Sequence, residues 1–581
     1  MGGIAGLFHP ATPKPVDPAR VRAMALAMAH RGPDGAGEWT APGVGFAHRR
    51  LAVIGGAAAV QPVATPDLRY ALMLDGTILN HADLREELRA LGQVVPGEGD
   101  AEVLLHGFAA WGPSLLDRLE GAFVFAVHDA ATQTLFLARD RLGAKPLFHA
   151  TLSDGALAFA SELRGLLAHP LLRGAPDVVA IDDYLALGYV PDDGCVVAGV
   201  QKVPAGHFLL IERGRPARPA RAWWRPSIGA AVGVDAVLPA ARRVIGEAAR
   251  GVAPVALLDG GVADAAVVAL LAEASARAVP TVAETEAAAI TRRFATAHRA
   301  TGMPDVASAL PLLAAAFDEP CALPGALTAL LLAGAARERA TSVVSGIGAV
   351  NDEAGLQRFA RRQRWREKAG VPAALHALLG AAEADHAAAI GMMPREARRG
   401  LFAAGVRRAL ADHRPEARFA AAMRASGADD PLDRALYATL AIRLPARDLA
   451  IADRAGMAAG VEWRAPFADH RFVAVAAGVP RGVRAGRTPP LATALAHHLP
   501  PLPAAAPPML VAAWLRGPLA EAVAGLARSR LFDELGWFDR ERLAQLAEQH
   551  RGGQADHAVV LWRLLILERC LSRLFGWPAS A

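Results

Sequence analysis

A glycine pair after a short apolar run is the first feature of this sequence that could carry chemistry. Val255–Leu258 has the length and apolar character of a buried strand, Gly260 and Gly261 follow it, and a helical pattern runs from about Ala265 to Ala276. A strand, a glycine turn and a helix in this order open an α/β nucleotide-binding unit, in which the helix N-terminus faces phosphate. The sequence therefore predicts such a unit from about residue 255 onward.

The first 160 residues follow another pattern, in which short β-type runs alternate with turns. Apolar residues at helical spacing predict helices over Pro18–Ala29 and Ala82–Leu91. Strands and helices in one region predict a layered α+β domain. The predicted strands are Ile4–Phe8, Val44–Phe46, Ala71–Leu74, Ala122–Val127, Leu135–Ala138 and Leu157–Ala160.

A change of composition separates these two regions. Residues 214–231 are rich in Pro, Arg and Trp and are interpreted as a linker. The sequence therefore predicts one domain over residues 1–213 and a second over residues 232–581. In the second domain, Ser342–Ser345 is predicted as another buried strand, and the chain after Gln357 is predicted to be helical.

Composition narrows the classes of protein to consider. Of the 581 residues 53% are hydrophobic, which excludes disorder, and the net charge is only +5. The basic run Arg361–Arg364 is interpreted as a solvated helix face, so no nucleic acid is expected to bind. The cysteines, Cys195, Cys321 and Cys570, are too few and too far apart for a disulfide framework or a zinc site, which suits the cytoplasm. Pro320–Ala336 is too short to span a bilayer, and no membrane contact is expected.

Many short motifs resemble the asparagine synthetase (glutamine-hydrolysing) family, the class II glutamine amidotransferases. Met1–Phe8 resembles the family's MCGIAGIF start, and the segment Gly121–Asp129 resembles GMFAFALWD. Further matches, in the family's order and across nearly the whole chain, are His30–Asp34 (HRGPD), His48–Leu51 (HRRL), Ala138–Leu147 (ARDRLGIKPLY), Phe159–Leu163 (FASEL), Tyr189–Pro191, Val203–His207, Asp318–Pro320, Asp453–Ala458, Arg464–His470 and Leu561–Leu565.

The resemblance implies the fold and the activity. It implies an N-terminal glutaminase domain, a four-layer α/β/β/α sandwich, and a C-terminal α/β PP-loop synthetase domain with a helical C-terminal part. It also implies adenylation of aspartate with ATP and magnesium, and passage of ammonia inside the protein between the two sites.

The glutaminase site lacks the family's nucleophile. The family uses the thiol of the residue after Met1, whose own α-amine is the general base. That position is Gly2, and Cys195 lies in a segment that the family pattern places outside the pocket. No catalytic residue is therefore assigned.

The oxyanion position is also changed. The family's NGE, whose asparagine and glycine donate to the oxyanion, reads Asp75-Gly76-Thr77. A carboxylate there repels the charge to be stabilised, where one lost donor costs roughly 3–4 kcal/mol. The positions that resemble glutamine contacts remain, either to bind an amino acid or as packing and salt-bridge residues; they are Arg50, Leu51, Gly76 and Asp100.

The ATP loop is altered as well. The family's SGGLDS reads Asp259–Asp264, which keeps Gly260 and Gly261 but places an aspartate at the serine and Ala263 at the metal-binding aspartate. Asp264 comes one residue late, which on a helix turns it by about 100°. No metal ligand is therefore assigned, and ATP and magnesium are implied by the resemblance alone.

Other synthetase positions are substituted too. SGEGADE reads from Ser345-Gly346 to Asn351, with Ile347 at the glutamate and Val350-Asn351 at the acid pair, unless Asp352-Glu353 restores that pair by a slip. The family's lysine before the DR pair falls at Ile451, and no RxKxGF segment is recognisable within Ala505–Trp514.

The substitutions predict a pseudoenzyme that acts by binding or regulation. Its expected partners are a second copy of the chain, an intact paralogue or a small amino acid. One alternative is an active, divergent amidotransferase. Another is an amide-forming cyclase related to β-lactam synthetases and lasso-peptide cyclases.

Overall fold

The structure is a computed structural model of the chain. It describes residues 1–54, 59–228, 231–258, 261–275, 278–283, 288–302, 305–349, 354–368, 381–486, 490–499 and 511–577. Asp259, Gly260 and residues 350–353, which belong to the predicted synthetase site, lie outside the described residues, as does most of Ala505–Trp514.

The N-terminal domain contains two six-stranded antiparallel sheets. Their orders are β10-β8-β9-β1-β3-β2 and β12-β11-β7-β6-β5-β4. The strands are β1 (Gly2–Phe8), β2 (Gly35–Ala41), β3 (Val44–Arg50), β4 (Val63–Ala64), β5 (Tyr70–Ile78), β6 (Gly121–Asp129), β7 (Thr134–Arg139), β8 (Phe148–Thr151), β9 (Leu157–Ala160), β10 (Val200–Lys202), β11 (His207–Glu212) and β12 (Arg221–Ala222).

The helices of this domain cover the outer faces of both sheets. They are α1 (Pro18–Leu26), α2 (His81–Ala90), α3 (Asp100–Trp111), α4 (Leu115–Arg118), α5 (Leu163–Leu167) and α6 (Val178–Leu187). Alternation along β1 shows how the layers form, because Ile4 and Phe8 enter the core between the sheets and Ala5 and Leu7 pack under the helices. The predicted four-layer α/β/β/α sandwich is confirmed.

The C-terminal domain is built on a five-stranded parallel sheet. Its order is β15-β14-β13-β16-β17, formed by β13 (Val255–Leu258), β14 (Pro280–Ala283), β15 (Ala297–Ala300), β16 (Ser342–Val344) and β17 (Glu462–Arg464). Apolar clusters cover both of its faces. The chain order reverses between β13 and β16, so their carboxyl ends meet at the point where α/β sheets bind ligands.

The described remainder of this domain is helical, as predicted for the chain after Gln357, except that β17 lies within that predicted helical region. Its helices are α7 (Val237–Ala249), α8 (Val262–Ala274), α9 (Ala288–Arg293), α10 (Val306–Ala316), α11 (Pro324–Arg337), α12 (Ala354–Lys368), α13 (Ala381–Ala389), α14 (Arg395–Arg399), α15 (Ala404–Ala409), α16 (Ala417–Ala425), α17 (Pro431–Ala438), a π-helical segment (Thr439–Leu449), α18 (Ala450–Ala459), α19 (His470–Gly478), α20 (Arg481–Arg484), α21 (Pro490–Ala494), α22 (Val511–Arg516), α23 (Ala520–Gly525), α24 (Arg530–Leu535), α25 (Arg540–Arg551) and α26 (Ala558–Phe575).

The segment interpreted as a linker contains a strand. Arg221–Ala222 pairs with β11 at the edge of the second sheet, and the backbone N–H groups of Trp223 and Trp224 donate to Gly206. The domain boundaries 1–213 and 232–581 stay a prediction. Among the described residues, no helix is both long and apolar enough to cross a membrane.

Candidate functional site

Gly2, at the predicted nucleophile position, has a backbone that excludes a side chain. It pairs with Arg50 at the start of β1 and adopts a φ of +144°, a region that L side chains rarely occupy. A Cβ atom there would lie 1.8 Å from the carbonyl oxygen of Arg49. A cysteine at this position therefore requires the strand to move.

Asp75, at the predicted oxyanion position, is fully buried in β5 and accepts three hydrogen bonds. Its Oδ1 accepts the backbone N–H of Gly2 at 3.1 Å. Its Oδ2 accepts from Arg31 Nη2 and from Ser161 Oγ, both at 3.0 Å. The negative charge of Asp75 is therefore balanced by Arg31 inside the protein. That a carboxylate at this position repels a developing oxyanion stays a prediction.

The predicted glutamine-contact residues do come together. Arg50, Leu51, Gly76 and Asp100 line one pocket beside Met1. Its volume is only about 10 Å³, roughly the space of one water molecule. The Asp100 carboxylate accepts the backbone N–H of Ile78 at 3.1 Å. The pocket keeps the family's residue types but would have to open for an amino acid to enter.

The second predicted site lies at the N-terminus of α8. Gly261 is the N-cap, and Asp264 accepts a hydrogen bond from the backbone N–H of Gly346, which follows β16. Gly346 lies so close to this first turn that a Cβ on it would be 2.4 Å from the carbonyl carbon of Ala263 and 2.5 Å from the Asp264 nitrogen. The Asp264 carboxylate thus holds the first turn of α8 to the loop that follows β16.

These described residues do not fit a magnesium-bound nucleotide. Ala263 has no side-chain oxygen where the family has its metal-binding carboxylate, and the side chain of Asp264 accepts a hydrogen bond inside the protein. Gly346 covers part of the helix end that a phosphate would approach. No chemical step is therefore assigned to ATP here.

The side chains at three further synthetase positions, Ser345, which is retained, and Ile347 and Ile451, which are substituted, make contacts inside the protein. Ser345 is buried and its Oγ accepts from Trp463 Nε1 at 2.8 Å. Ile347, at the family's glutamate position, packs on an apolar cluster of the helical region. Ile451, at the family's lysine position, is buried in α18 within the largest core.

A buried cluster of charges joins the two domains, and local sequence patterns did not predict it. We call it the interdomain charge cluster; it comprises Arg31, Asp75, Lys145, Glu162, Arg164, Asp318, Asp453 and Arg454. Arg31 pairs with Asp75, Glu162 and Asp453 at 2.8–3.0 Å. Lys145 also pairs with Asp453, while Arg454 pairs with Glu162 and Asp318. Arg164 completes it against Glu162.

The cluster holds four cationic and four anionic side chains. Burial alone would raise the pKa of Asp453, but Arg31 and Lys145 outweigh it and hold that pKa below its ordinary value. Burial is likewise outweighed at Glu162, where Arg454, His30 and Arg31 hold the pKa well below normal. All residues of the cluster except Asp75 and Arg164 belong to motifs that match the family. The motifs therefore identified these positions, but they did not predict that the side chains form ion pairs between the domains.

Two antiparallel sheets between helices, followed by a parallel sheet with its switch point at β13, define a class II glutamine amidotransferase domain joined to a PP-loop synthetase domain. Family models agree: residues 1–224 match a glutamine amidotransferase domain and residues 246–572 match asparagine synthase. The chain belongs to the asparagine synthetase family.

Individual proteins are similar to this chain over different lengths. The chain is 30% identical over 603 residues to the "putative asparagine synthetase (glutamine-hydrolyzing)" of Mycobacterium bovis, covering 93% of this chain and 91% of that protein. It is 36% identical over 190 residues to asparagine synthetase (glutamine-hydrolyzing) 3 of Bacillus subtilis, covering 32% of this chain and 31% of that protein. Among solved structures, glutamine phosphoribosylpyrophosphate amidotransferase from B. subtilis matches with a TM-score of 0.30 and 18% identity, covering 48% of this chain and 65% of that chain.

Proposed function

We propose that this chain is an asparagine synthetase homologue that has neither glutaminase nor synthetase activity and acts by binding. The observation that carries the proposal is the backbone of Gly2, which leaves no space for the family's nucleophilic cysteine. The absence of a side chain is thus built into the strand, because Gly2 pairs in register with Arg50. A nucleophile elsewhere is not supported, since all three cysteines are buried.

The second site supports the same proposal through different residues. Ala263, Ile347 and Ile451 replace an acid, an acid and a lysine of the family motifs, and Ile347 and Ile451 belong to apolar packing. Asp264 is held by Gly346. Catalysis at this site would need several side chains to change, so loss of function does not depend on one substitution.

Two assays on the purified full-length chain test the proposal. The first measures release of glutamate from glutamine, and the second measures magnesium-dependent ATP–pyrophosphate exchange with aspartate. Both are expected to give background rates, and calorimetry is expected to detect no binding of magnesium-ATP. Turnover in the first assay would support an active amidotransferase. Exchange without glutaminase activity would support an amide-forming enzyme of the cyclase type.

Binding partners follow from the proposal. They are a second copy of the chain, an intact paralogue in the cytoplasm, or a small amino acid in the pocket of Arg50 and Asp100. Light scattering on the purified chain distinguishes a monomer from a self-associating protein. Co-purification with an intact paralogue, where the same genome encodes one, tests the second partner.

A further inference from the structure

A second cavity lies where the two domains meet. It has a volume of about 90 Å³, and Thr77, Ala122 and Lys145 line it from the N-terminal domain. Glu462 and Arg464 of β17 line it from the C-terminal domain. It is distinct from the pocket of Arg50 and Asp100, which is lined by other residues apart from Met1 and Thr77.

Two short side chains help to make this space. Thr77 of β5 and Ala122 of β6 are partners across neighbouring strands. The motifs that this chain resembles have a glutamate at the first position (NGE) and a methionine at the second (GMFAF). The Thr77 hydroxyl donates to Glu462 Oε1 at 2.6 Å, so both residues of the pair lie at the boundary between the domains.

Two arginine side chains around the cavity have N–H groups without a hydrogen-bond acceptor among the described residues. Arg141, a further lining residue, lies over the ring of Trp223 and donates to the backbone carbonyls of Leu119 and Asp117. Its Nε is buried without an acceptor among the described residues. Arg464 donates to the carbonyl of Ala248 at 2.7 Å, and its Nε likewise lacks an acceptor in the described part of the chain.

Lys145 adds a third cation. Its Nζ carries three N–H donors and lies 2.9 Å from Asp453 Oδ1. A buried donor without an acceptor is unfavourable, so an entering molecule with acceptor oxygens would satisfy the donors of Arg141 and Arg464.

The acidic residues of the lining are already occupied. Asp140 accepts backbone N–H groups on both carboxylate oxygens, and both oxygens of Asp453 accept from Arg31. Asp469 is paired with Arg471 at 2.7 Å. Glu462 is paired with Arg464 at 2.9 Å. Among the described lining atoms that are buried without a hydrogen bond, Arg141 Nε, Arg464 Nε and Arg464 Nη2 are donors and Glu462 Oε2 is an acceptor. This excess of donors favours an anion over a cation.

We propose that this interdomain cavity binds a small carboxylate through Arg141, Lys145 and Arg464. The anion contacts both domains, because Arg141 and Lys145 belong to one and Arg464 to the other. A carboxylate is thus the class of ligand for the proposed binding function, and its binding here rests on that proposed function. The cavity lies in a different place from the amino-acid pocket of Arg50.

Calorimetry with succinate as the probe tests the inference on the full-length chain. We expect wild-type binding in the millimolar range or tighter. Ala122→Met, which restores the family's residue and fills the cavity, is expected to weaken binding at least tenfold. Arg141→Gln, which keeps the cavity but removes a cation, is expected to weaken it about tenfold. Arg50→Gln is the matched control and is expected to bind succinate like the wild type.

Several results would overturn the inference. They are no binding by the wild type, wild-type affinity in both Ala122→Met and Arg141→Gln, or loss of binding in Arg50→Gln alone. Binding of inorganic phosphate with no binding of succinate would overturn the carboxylate class. Because Arg141→Gln fills no space, it decides the question even if Ala122→Met does not fold. Enzymatic turnover would contradict the proposed function, but the succinate affinities of the variants would still show whether the cavity binds a carboxylate.

Discussion

The guanidinium of Arg31 and the carboxylate of Asp453 form a two-point ion pair across the domain boundary. Arg31 Nη1 lies 2.8 Å from Asp453 Oδ2, and Nη2 lies 3.0 Å from Oδ1. Both side chains are inaccessible to solvent, and 422 residues separate them in the chain. This fork geometry is the strongest form of ion pairing available to arginine, and it places a fixed contact at the centre of the interdomain charge cluster.

Arg31→Met should destabilise the protein strongly. The substitution leaves Asp75 and Asp453 buried with fewer partners, and breaking a buried ion pair from one side costs about 3–5 kcal/mol. Urea unfolding measures the change. The control is Arg22→Met, whose pair with Glu38 is exposed and should cost less than about 1 kcal/mol. Equal effects of the two variants would mean that the cluster contributes no more than a surface pair.

Gly2→Cys should destabilise the protein without giving glutaminase activity. The strained φ and the close approach to Arg49 together should cost roughly 2–5 kcal/mol. Gly536→Ala is the control, since Gly536 lies in the left-handed region (φ +61°, ψ +21°) with no described atom near its Cβ position, and about 1 kcal/mol is expected. A Gly2→Cys variant that is as stable as the wild type and hydrolyses glutamine would contradict the conclusion that the Gly2 backbone excludes a side chain.

The three thiols should resist modification in the folded protein. Burial raises the pKa of all three thiols above the ordinary value, and it raises the pKa of Cys321 to about 12. Little thiolate therefore forms near neutral pH. A colorimetric thiol reagent at pH 8 is expected to find no reactive group until guanidinium is added, and then three. Ser153→Cys, at an exposed turn position, should add one fast-reacting thiol and serves as the positive control. A fast-reacting thiol in the folded wild type would contradict the conclusion that no cysteine is available as a nucleophile.

Stability should fall in mild acid because of His48. Burial lowers the pKa of this histidine to about 3, so below about pH 6.5 the unfolded chain takes up a proton that the folded chain does not. The free energy of unfolding should therefore drop by roughly 1.4 kcal/mol per pH unit from this group between pH 6 and pH 4. His48→Gln should flatten that slope in urea titrations. The exposed His497→Gln should leave it unchanged, and identical slopes in all three proteins would contradict the assignment.

Local patterns predicted much of the fold. The runs Ile4–Phe8, Ala71–Leu74 and Val255–Leu258 lie in strands of the structure, because period-two alternation or continuous apolar character is a local property of a strand. Helix α3 was not predicted, since Ala101, Val103, Leu104, Leu105 and Phe108 are all buried and such a helix shows no clear polar face. The strand at Arg221–Ala222 was not predicted, because the Pro- and Arg-rich sequence around it is typical of a linker.

The sequence predicted which residues of the candidate sites are substituted, but it did not predict the contacts that these residues make. Substitutions at Gly2, Asp75 and Ile347 were visible from motifs. The structure places Arg50, Leu51, Gly76 and Asp100 around one pocket, and their role as glutamine contacts stays a prediction. What Asp75 does was not predictable, because its partners Arg31 and Ser161 lie 44 and 86 residues away. Pairings over such separations leave no periodic signal in the chain.

The interdomain charge cluster also bears on whether either half could exist by itself. A fragment ending near residue 222 would keep Arg31 and Lys145 and lose Asp453, their shared partner, so excess positive charge would face water or force that surface to rearrange. The reciprocal fragment would expose the acid without its cations. Splitting the gene between the two domains would therefore yield two fragments with unpaired charges on their surfaces. Any separation of the domains during evolution would first have had to rebuild this contact.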